Sequence, residues 1–233
     1  MPRKPASSAR EEAPTVVRRR PQNNEEKLAR TFCALTLSDD AREAVVRGLE
    51  PIRATLDRAN WVHPARWHIT VKFFGEIPES GLETLGNTLQ MACGERLSVQ
   101  LRGAGAFPDL REPQVLWVGV RDAGRGLEGL FRTINDACAP LGYAPENRKF
   151  RPHLTVARLR PTKAFPVARE LTPVLDTLFI ETELTELVLY RSDMGPDGAV
   201  YTPLRRMALS VPRKKRTLQE PADEPGEIPR PGT

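Results

Sequence analysis

The sequence lacks any apolar run near the roughly 20 residues that a membrane-crossing helix needs, which excludes a helical span. Cysteine is sparse. Cys33, Cys93 and Cys138 are odd in number, widely spaced and set among small or apolar residues, with no Cys-x-x-Cys pair. The pattern argues against a disulfide framework or a zinc cluster and reads as free buried thiols. No apolar stretch follows the first basic residues, and Glu11, Glu12, Glu25 and Glu26 interrupt any acid-poor amphipathic pattern. No targeting segment is therefore expected, and a cytoplasmic location is. Excess positive charge is also scarce where it would matter. Of the formal +5, residues 1–27 carry +3 and residues 212–233 carry +1, which leaves +1 for residues 28–211. A broad nucleic-acid surface does not follow from the whole-chain charge and would have to come from local arrangement. Histidine is as scarce as cysteine, with three in 233 residues.

Residues 1–27, rich in Pro and Arg without hydrophobic period, read as a disordered basic tail. Residues 212–233, with Arg213-Lys214-Lys215-Arg216 and a Pro/Glu-rich end, read as a second disordered tail. Between them, residues 28–211 are long enough for one domain built of two lobes. Strands are predicted at Arg30–Leu37, Trp67–Phe74 (ended by Gly75), Leu97–Leu101, Gln114–Val120 and His153–Leu159. A hairpin of Phe179–Tyr190 and Ala199–Leu209 is expected to turn at Gly195-Pro196-Asp197-Gly198. Helices are predicted at Ala41–Leu56 after the capping run Ser38-Asp39-Asp40, at Ser80–Cys93, at Gly126–Leu141 and, more weakly, at Pro166–Leu175. Strand–helix–strand passages mixed with adjacent strands favour α+β over a doubly wound parallel sheet.

Two of the three histidines share one setting, His68-Ile69-Thr70-Val71 and His153-Leu154-Thr155-Val156. Both copies lie in strand-type sequence, where residues two apart share a face. His68 and Thr70 then lie with Arg66 and Lys72 on a polar face, backed by Trp67, Ile69, Val71 and Phe73. His153 and Thr155 lie with Ala157, opposite Leu154 and Val156. Each copy offers an imidazole beside a hydroxyl, away from the core. His63 precedes a proline, has no such partner and reads as structural or exposed.

Hydrolysis of a phosphodiester needs a base for the attacking water and an acid for the leaving oxygen. Imidazole, with an ordinary pKa near 6.5, serves either role near neutrality. Thr70 and Thr155 would grip the nonbridging oxygens, and Arg151, two residues before His153, is the nearest cation of matching parity. Two histidines without a carboxylate or cysteine set are too few for a typical metal site, so no metal and no other cofactor is expected.

These residues resemble the RNA 2′,3′-cyclic phosphodiesterase family, historically called 2′-5′ RNA ligases, of the two-histidine phosphoesterase superfamily. Arg30-Thr31-Phe32-Cys33-Ala34 is similar to the family's opening strand. Trp67 to Glu76 resembles its first motif, with Phe74 where the pattern has Leu, and Phe150 to Arg158 resembles the second. Leu189-Tyr190-Arg191-Ser192 and Gly198 to Tyr201 resemble the closing hairpin. The resemblance covers about residues 28–211. It implies a bilobal α+β fold, with mostly antiparallel sheets lining a central cleft and helices outside. It implies hydrolysis of RNA 2′,3′-cyclic phosphate ends to 2′-phosphate ends without metal. His68 would be the proton donor to the leaving 3′ oxygen, His153 the acceptor from water, and Thr70 and Thr155 phosphate ligands. RNA ends or small cyclic-phosphate nucleotides would be the partners of a monomer. Two alternatives stay open: ATP-independent 2′-5′ ligation at the same histidines, and an RNA- or nucleotide-binding module without turnover. Tyr201 and Phe150 are candidates for stacking on a base.

Overall fold

The computed structural model describes residues 26–57, 59–146, 148–159, 167–196 and 198–212, so most of both expected tails lies outside the described residues. In chain order the elements are β1 (Leu28–Leu35), α1 (Asp39–Thr55), β2 (Asn60–Trp61), β3 (Ile69–Pro78), α2 (Leu82–Ala92), β4 (Leu97–Phe107) and β5 (Val115–Arg121). They continue with α3 (Gly126–Cys138), β6 (His153–Arg158), α4 (Val167–Leu171), β7 (Leu178–Leu184), β8 (Glu186–Gly195) and β9 (Gly198–Ala208). Local chemistry places the helix starts. Ser38 Oγ accepts from Ala41 N at 3.2 Å, and Asp39 and Asp40 occupy the first turn of α1, where the helix dipole favours negative charge.

The named strands pair antiparallel throughout, in the order β7-β4-β5-β6-β3-β1-β8-β9, with β2 added to β6. The fold is α+β. Two four-stranded blocks meet at one residue pair, Ile69 opposite Leu154. Each block reaches its inner strand by a strand–helix–strand passage, β1–α1–β3 and β5–α3–β6. The helix-side core is continuous, taking in Val45 and Leu49 of α1, Leu85 and Leu89 of α2 and Leu130 and Ile134 of α3. The division between blocks therefore lies in the sheet and not in the core.

Three features differ from the pattern read in the sequence. First, Phe179–Tyr190 is not one strand. It breaks at Thr185, whose carbonyl accepts from Leu209 N at 2.8 Å. The part before the break edges β4, and the part after it lies between β1 and β9. Ladder partners in β4 and β1, between 76 and 160 positions away in the chain, decide this, and local propensity cannot. Second, β4 runs on to Phe107 against β5, six residues beyond the strand predicted to end at Leu101. Third, Gly75 does not end β3. At φ +78° it accommodates a bulge, because left-handed backbone costs glycine little, and pairing resumes to Pro78.

A second irregularity occurs in both motifs. Cys33 pairs with Lys72 and Ala34 with Thr70, which skips Val71. Leu116 pairs with Ala157 and Trp117 with Thr155, which skips Val156. An extra residue in a strand reverses the facing of everything after it. Val71 and Lys72 are both buried, and so are Val156 and Ala157, whereas Phe73 is 58% exposed and Arg158 is exposed. The strict alternation read from the sequence thus holds through Thr70 and Thr155 and fails beyond them. Lys72 and Ala157 go to the core, and Phe73 and Arg158 come to the histidine face.

Lys72, 1% exposed, has a structural use there. Its Nζ donates to Asn135 Oδ1 and to Ala144 O, both at 2.7 Å, and Asn135 Oδ1 also accepts from Glu146 N at 3.1 Å. Strand β3, helix α3 and the segment leading toward His153 are tied at this point. Lys72→Ala would leave a void at a fully buried position and remove both hydrogen bonds made by Nζ. We expect it to cost about 3 kcal/mol in urea-melt stability. A loss below about 0.5 kcal/mol would show that the tie carries no weight.

Candidate active site

The single Ile69–Leu154 pair fixes the site. Extending its antiparallel register by one residue each way sets His68 across from Thr155 and Thr70 across from His153. Directly opposed side chains in such a pair lie about 5 Å apart at Cβ and share a face. Ile69 and Leu154, both fully buried, take the other face. Two hydroxyls and two imidazoles therefore meet in a square with local two-fold symmetry. The hydroxyls of half-buried Thr70 and Thr155 are not taken up by any other described residue.

The imidazoles are held alike. His68 Nδ1 lies 2.8 Å from Arg66 O, and His153 Nδ1 lies 2.7 Å from Arg151 O. A carbonyl can only accept, so Nδ1 carries the proton in each ring and Nε2 is left free. Aromatic rings wall both groups. Phe32 and Tyr201 lie 5.0 and 5.1 Å from His68, and Phe107 lies 5.0 Å from His153, ring centre to ring centre. Burial among these rings pushes both pKa values below the ordinary imidazole value. At His68 the carbonyl of Arg66 opposes the shift, while the charges of His153 and Arg158 add to it.

The sign of this shift sets a stability prediction. A folded pKa below the unfolded 6.5 means that the unfolded chain binds more protons under acid conditions. The contribution of these histidines is full above pH 6.5 and falls as pH drops below it toward the folded values. A urea midpoint that declines between about pH 7 and pH 5.5, and declines less in the His68→Gln variant, is the expected result. An unchanged slope in that variant would contradict it.

Two arginines act on the imidazoles in different ways. Arg151 serves His153 through its carbonyl, and its guanidinium is not among the charges acting on either imidazole. Arg158, which the bulge at Val156 turns onto the histidine face, is the arginine whose charge reaches His68. Its facing depends on the bulge at Val156, which cannot be read without the partner strand. Phe73 reaches the face by the equivalent bulge and stands 5.7 Å from Phe32. Of the two stacking candidates, Tyr201 meets His68 edge-on and Phe150 stacks on Phe131 of α3. His63 is exposed, and its Nδ1 accepts from Ala65 N at 3.2 Å as the cap of a short turn. Cys33 and Cys138 are buried, and burial raises the pKa of all three thiols, Cys93 to about 11. Such thiols are poor nucleophiles near neutrality.

Residues 38–196 match the 2′-5′ RNA ligase superfamily. The RNA 2′,3′-cyclic phosphodiesterase of Methanothermobacter thermautotrophicus is 30% identical over 176 residues, which are 74% of this chain and 95% of that protein. The protein of the same name from Geobacillus stearothermophilus is 31% identical over 172 residues; they are 72% of this chain but 54% of the relative, so the chain spans about half its length. Among solved structures, Escherichia coli LigT complexed with 3′-AMP is 27% identical, with a TM-score of 0.63 over 78% of this chain and 99% of that one. The protein TT0787 of Thermus thermophilus is 28% identical, with a TM-score of 0.62 over 79% and 100%.

Proposed function

The chain belongs to the 2′-5′ RNA ligase superfamily, and we propose that it hydrolyses RNA 2′,3′-cyclic phosphate ends to 2′-phosphate ends by metal-independent acid–base catalysis. The observation that carries this reading is the matched pair of imidazoles. Each is fixed through Nδ1 with Nε2 free, and each is set across from the other motif's threonine. The relatives named for this activity support the substrate class.

The cyclic phosphate sits between the two rings. His153 Nε2 takes a proton as water oxygen bonds to phosphorus, the bond from phosphorus to O3′ breaks, and His68 Nε2 gives its proton to O3′. The 2′-phosphate remains on the RNA end, and the two histidines have exchanged protonation states. The roles of His68 as acid and His153 as base are those that the family resemblance implies, and the depressed pKa of His68 means that bound phosphate must hold its proton in place. Thr70 and Thr155 donate to the nonbridging oxygens. Arg158, rather than Arg151, balances the charge that grows on them. The exposed ring of Phe73 offers a platform for the terminal base. The two strand blocks act as the two lobes of the cleft, the protein works as a monomer in the cytoplasm, and the terminal segments are not needed for catalysis.

The test is a product assay on an oligonucleotide ending in a 2′,3′-cyclic phosphate, with and without EDTA. A 2′-phosphate end formed equally in both is expected. No turnover, a joined product, or activity lost to EDTA would each overturn the reading. The pH profile is a second check. Turnover needs one protonated and one neutral imidazole, and both pKa values in the free protein lie below 6.5. A bell-shaped kcat/KM with its maximum below pH 6.5 follows, belonging to the pair and not to either residue. Bound phosphate holds the proton longer, so kcat peaks at higher pH. A kcat/KM maximum above pH 7 would contradict the burial of these rings.

A further inference from the structure

The end of β5, the first turns of α3 and residues 148–152 enclose a pocket of about 890 Å³ that the catalytic square does not use. Its walls carry five cations, Arg121, Arg125, Arg132, Arg148 and Lys149, against two acids, Asp122 and Glu128. Both acids are already engaged. Asp122 accepts from Gly124 N at 2.8 Å and from Leu127 N at 2.7 Å, closing the start of α3, and Glu128 pairs with Arg132. Arg121 pairs with Asp176 at 3.1 Å. Arg125, Arg148 and Lys149 are exposed, and their side chains have no ion-pair or hydrogen-bond partner among the described residues. Three unpaired cations on one concave wall repel one another, and a polyanion relieves that repulsion. The rest of the domain is nearly neutral, so the charge is concentrated here.

The pocket adjoins the reaction centre. Its wall includes Pro152, the residue before His153, and Pro152 O accepts from Val120 N at 3.2 Å. Arg121 lies two residues beyond Gly119, the cross-strand partner of His153, and so shares the histidine's face. Phe131 and Phe150, stacked at 4.5 Å and 9°, add a flat apolar wall. Cations that track a backbone, together with an aromatic surface, are what single-stranded nucleic acid binding requires.

We propose that this pocket holds the phosphodiester backbone of single-stranded RNA just upstream of the reacting terminal phosphate. The proposal rests on the cyclic-phosphate reading for the position of the RNA end, but its binding arm does not depend on turnover.

The variant is Arg125→Asn/Arg148→Gln/Lys149→Gln in the full chain. It alters exposed side chains only, and Asn tolerates the φ of +57° at position 125. Two measurements are made. One is kcat/KM for a 2′,3′-cyclic mononucleotide and for a cyclic-ended oligonucleotide of about ten residues. The other is the anisotropy-measured Kd of a labelled oligonucleotide carrying the product 2′-phosphate, across salt concentrations. The expected result is at least about a tenfold loss of oligonucleotide affinity and kcat/KM at about 0.1 M salt, with the mononucleotide unchanged. The slope of log Kd against log salt should shrink by up to about 2, at about 0.7 per lost contact. Equal losses on both substrates, or unchanged oligonucleotide binding, would overturn the proposal. So would displacement of the oligonucleotide by ATP at comparable concentration, which would make the pocket a site for free nucleotides. A wild type that turns over neither substrate sinks the hydrolase reading alone, and weaker RNA binding by the variant would still support the pocket.

Discussion

Replacing either His68 or His153 with alanine is expected to lower kcat on a cyclic-phosphate RNA end by about 10²–10⁴-fold, with the fold retained. The size follows from the geometry. Each Nε2 is the exchangeable atom of a ring locked through Nδ1 by a carbonyl at 2.7 or 2.8 Å, and the square holds no third imidazole to replace it. The two variants should differ in a way that assigns their roles. A substrate whose leaving group is an activated phenol needs no proton as the bond to phosphorus breaks. His68→Ala should recover most of its lost rate on such an ester, and His153→Ala should not. Recovery by His153→Ala instead would reverse the assignment of acid and base. Equal failure of both would mean that the rings position the phosphate without transferring protons. Circular dichroism and urea melts distinguish either outcome from unfolding.

The second large effect is expected at Arg158. Arg158→Ala should lower kcat/KM by about 10²–10³-fold, the usual cost of removing a group aimed at developing oxyanion charge. Arg151→Ala should cost less than about tenfold, because the carbonyl that holds His153 survives the substitution. An independent readout accompanies the rate. The charge of Arg158 depresses the His68 pKa, so its removal should move the His68 titration to higher pH in an NMR experiment, and Arg151→Ala should leave it in place. Arg158→Lys keeps the charge and loses the planar fork, so it should restore the titration while recovering the rate only in part. A rate loss centred on Arg151 with a silent Arg158 would mean that the bulge at Val156 does not direct the cation as described.

The same bulges show where a sequence stops being informative. The duplicated His-x-Thr setting was legible because period-two facing is a local property, and it needs nothing beyond the next two residues. Helix starts were legible for the same reason, as at Ser38-Asp39-Asp40, where capping atoms and backbone amides are three positions apart. The α+β class followed from the order of such local elements. The facing of Lys72, Phe73, Ala157 and Arg158 was not legible. A bulge is defined by two residues opposing one, and the opposing residues are Cys33-Ala34 and Leu116-Trp117, about 40 positions away in the chain. The break at Thr185 has the same origin, since the strands on either side of it pair with β4 and β1, at least 76 positions away in the chain.

By itself the sequence singled out the candidate side chains for chemistry, two imidazoles and two hydroxyls on polar strand faces, because those choices rest on residue type and short spacing. The tertiary structure alone decided how they meet, through one antiparallel pair at Ile69 and Leu154, and which arginine joins them. It alone also gathered Arg121, Arg125, Arg148 and Lys149 around one pocket, although the charge of their domain is almost balanced. Facing within a strand is a local property, but opposition between strands and the convergence of charge are set by partners that only folding brings near.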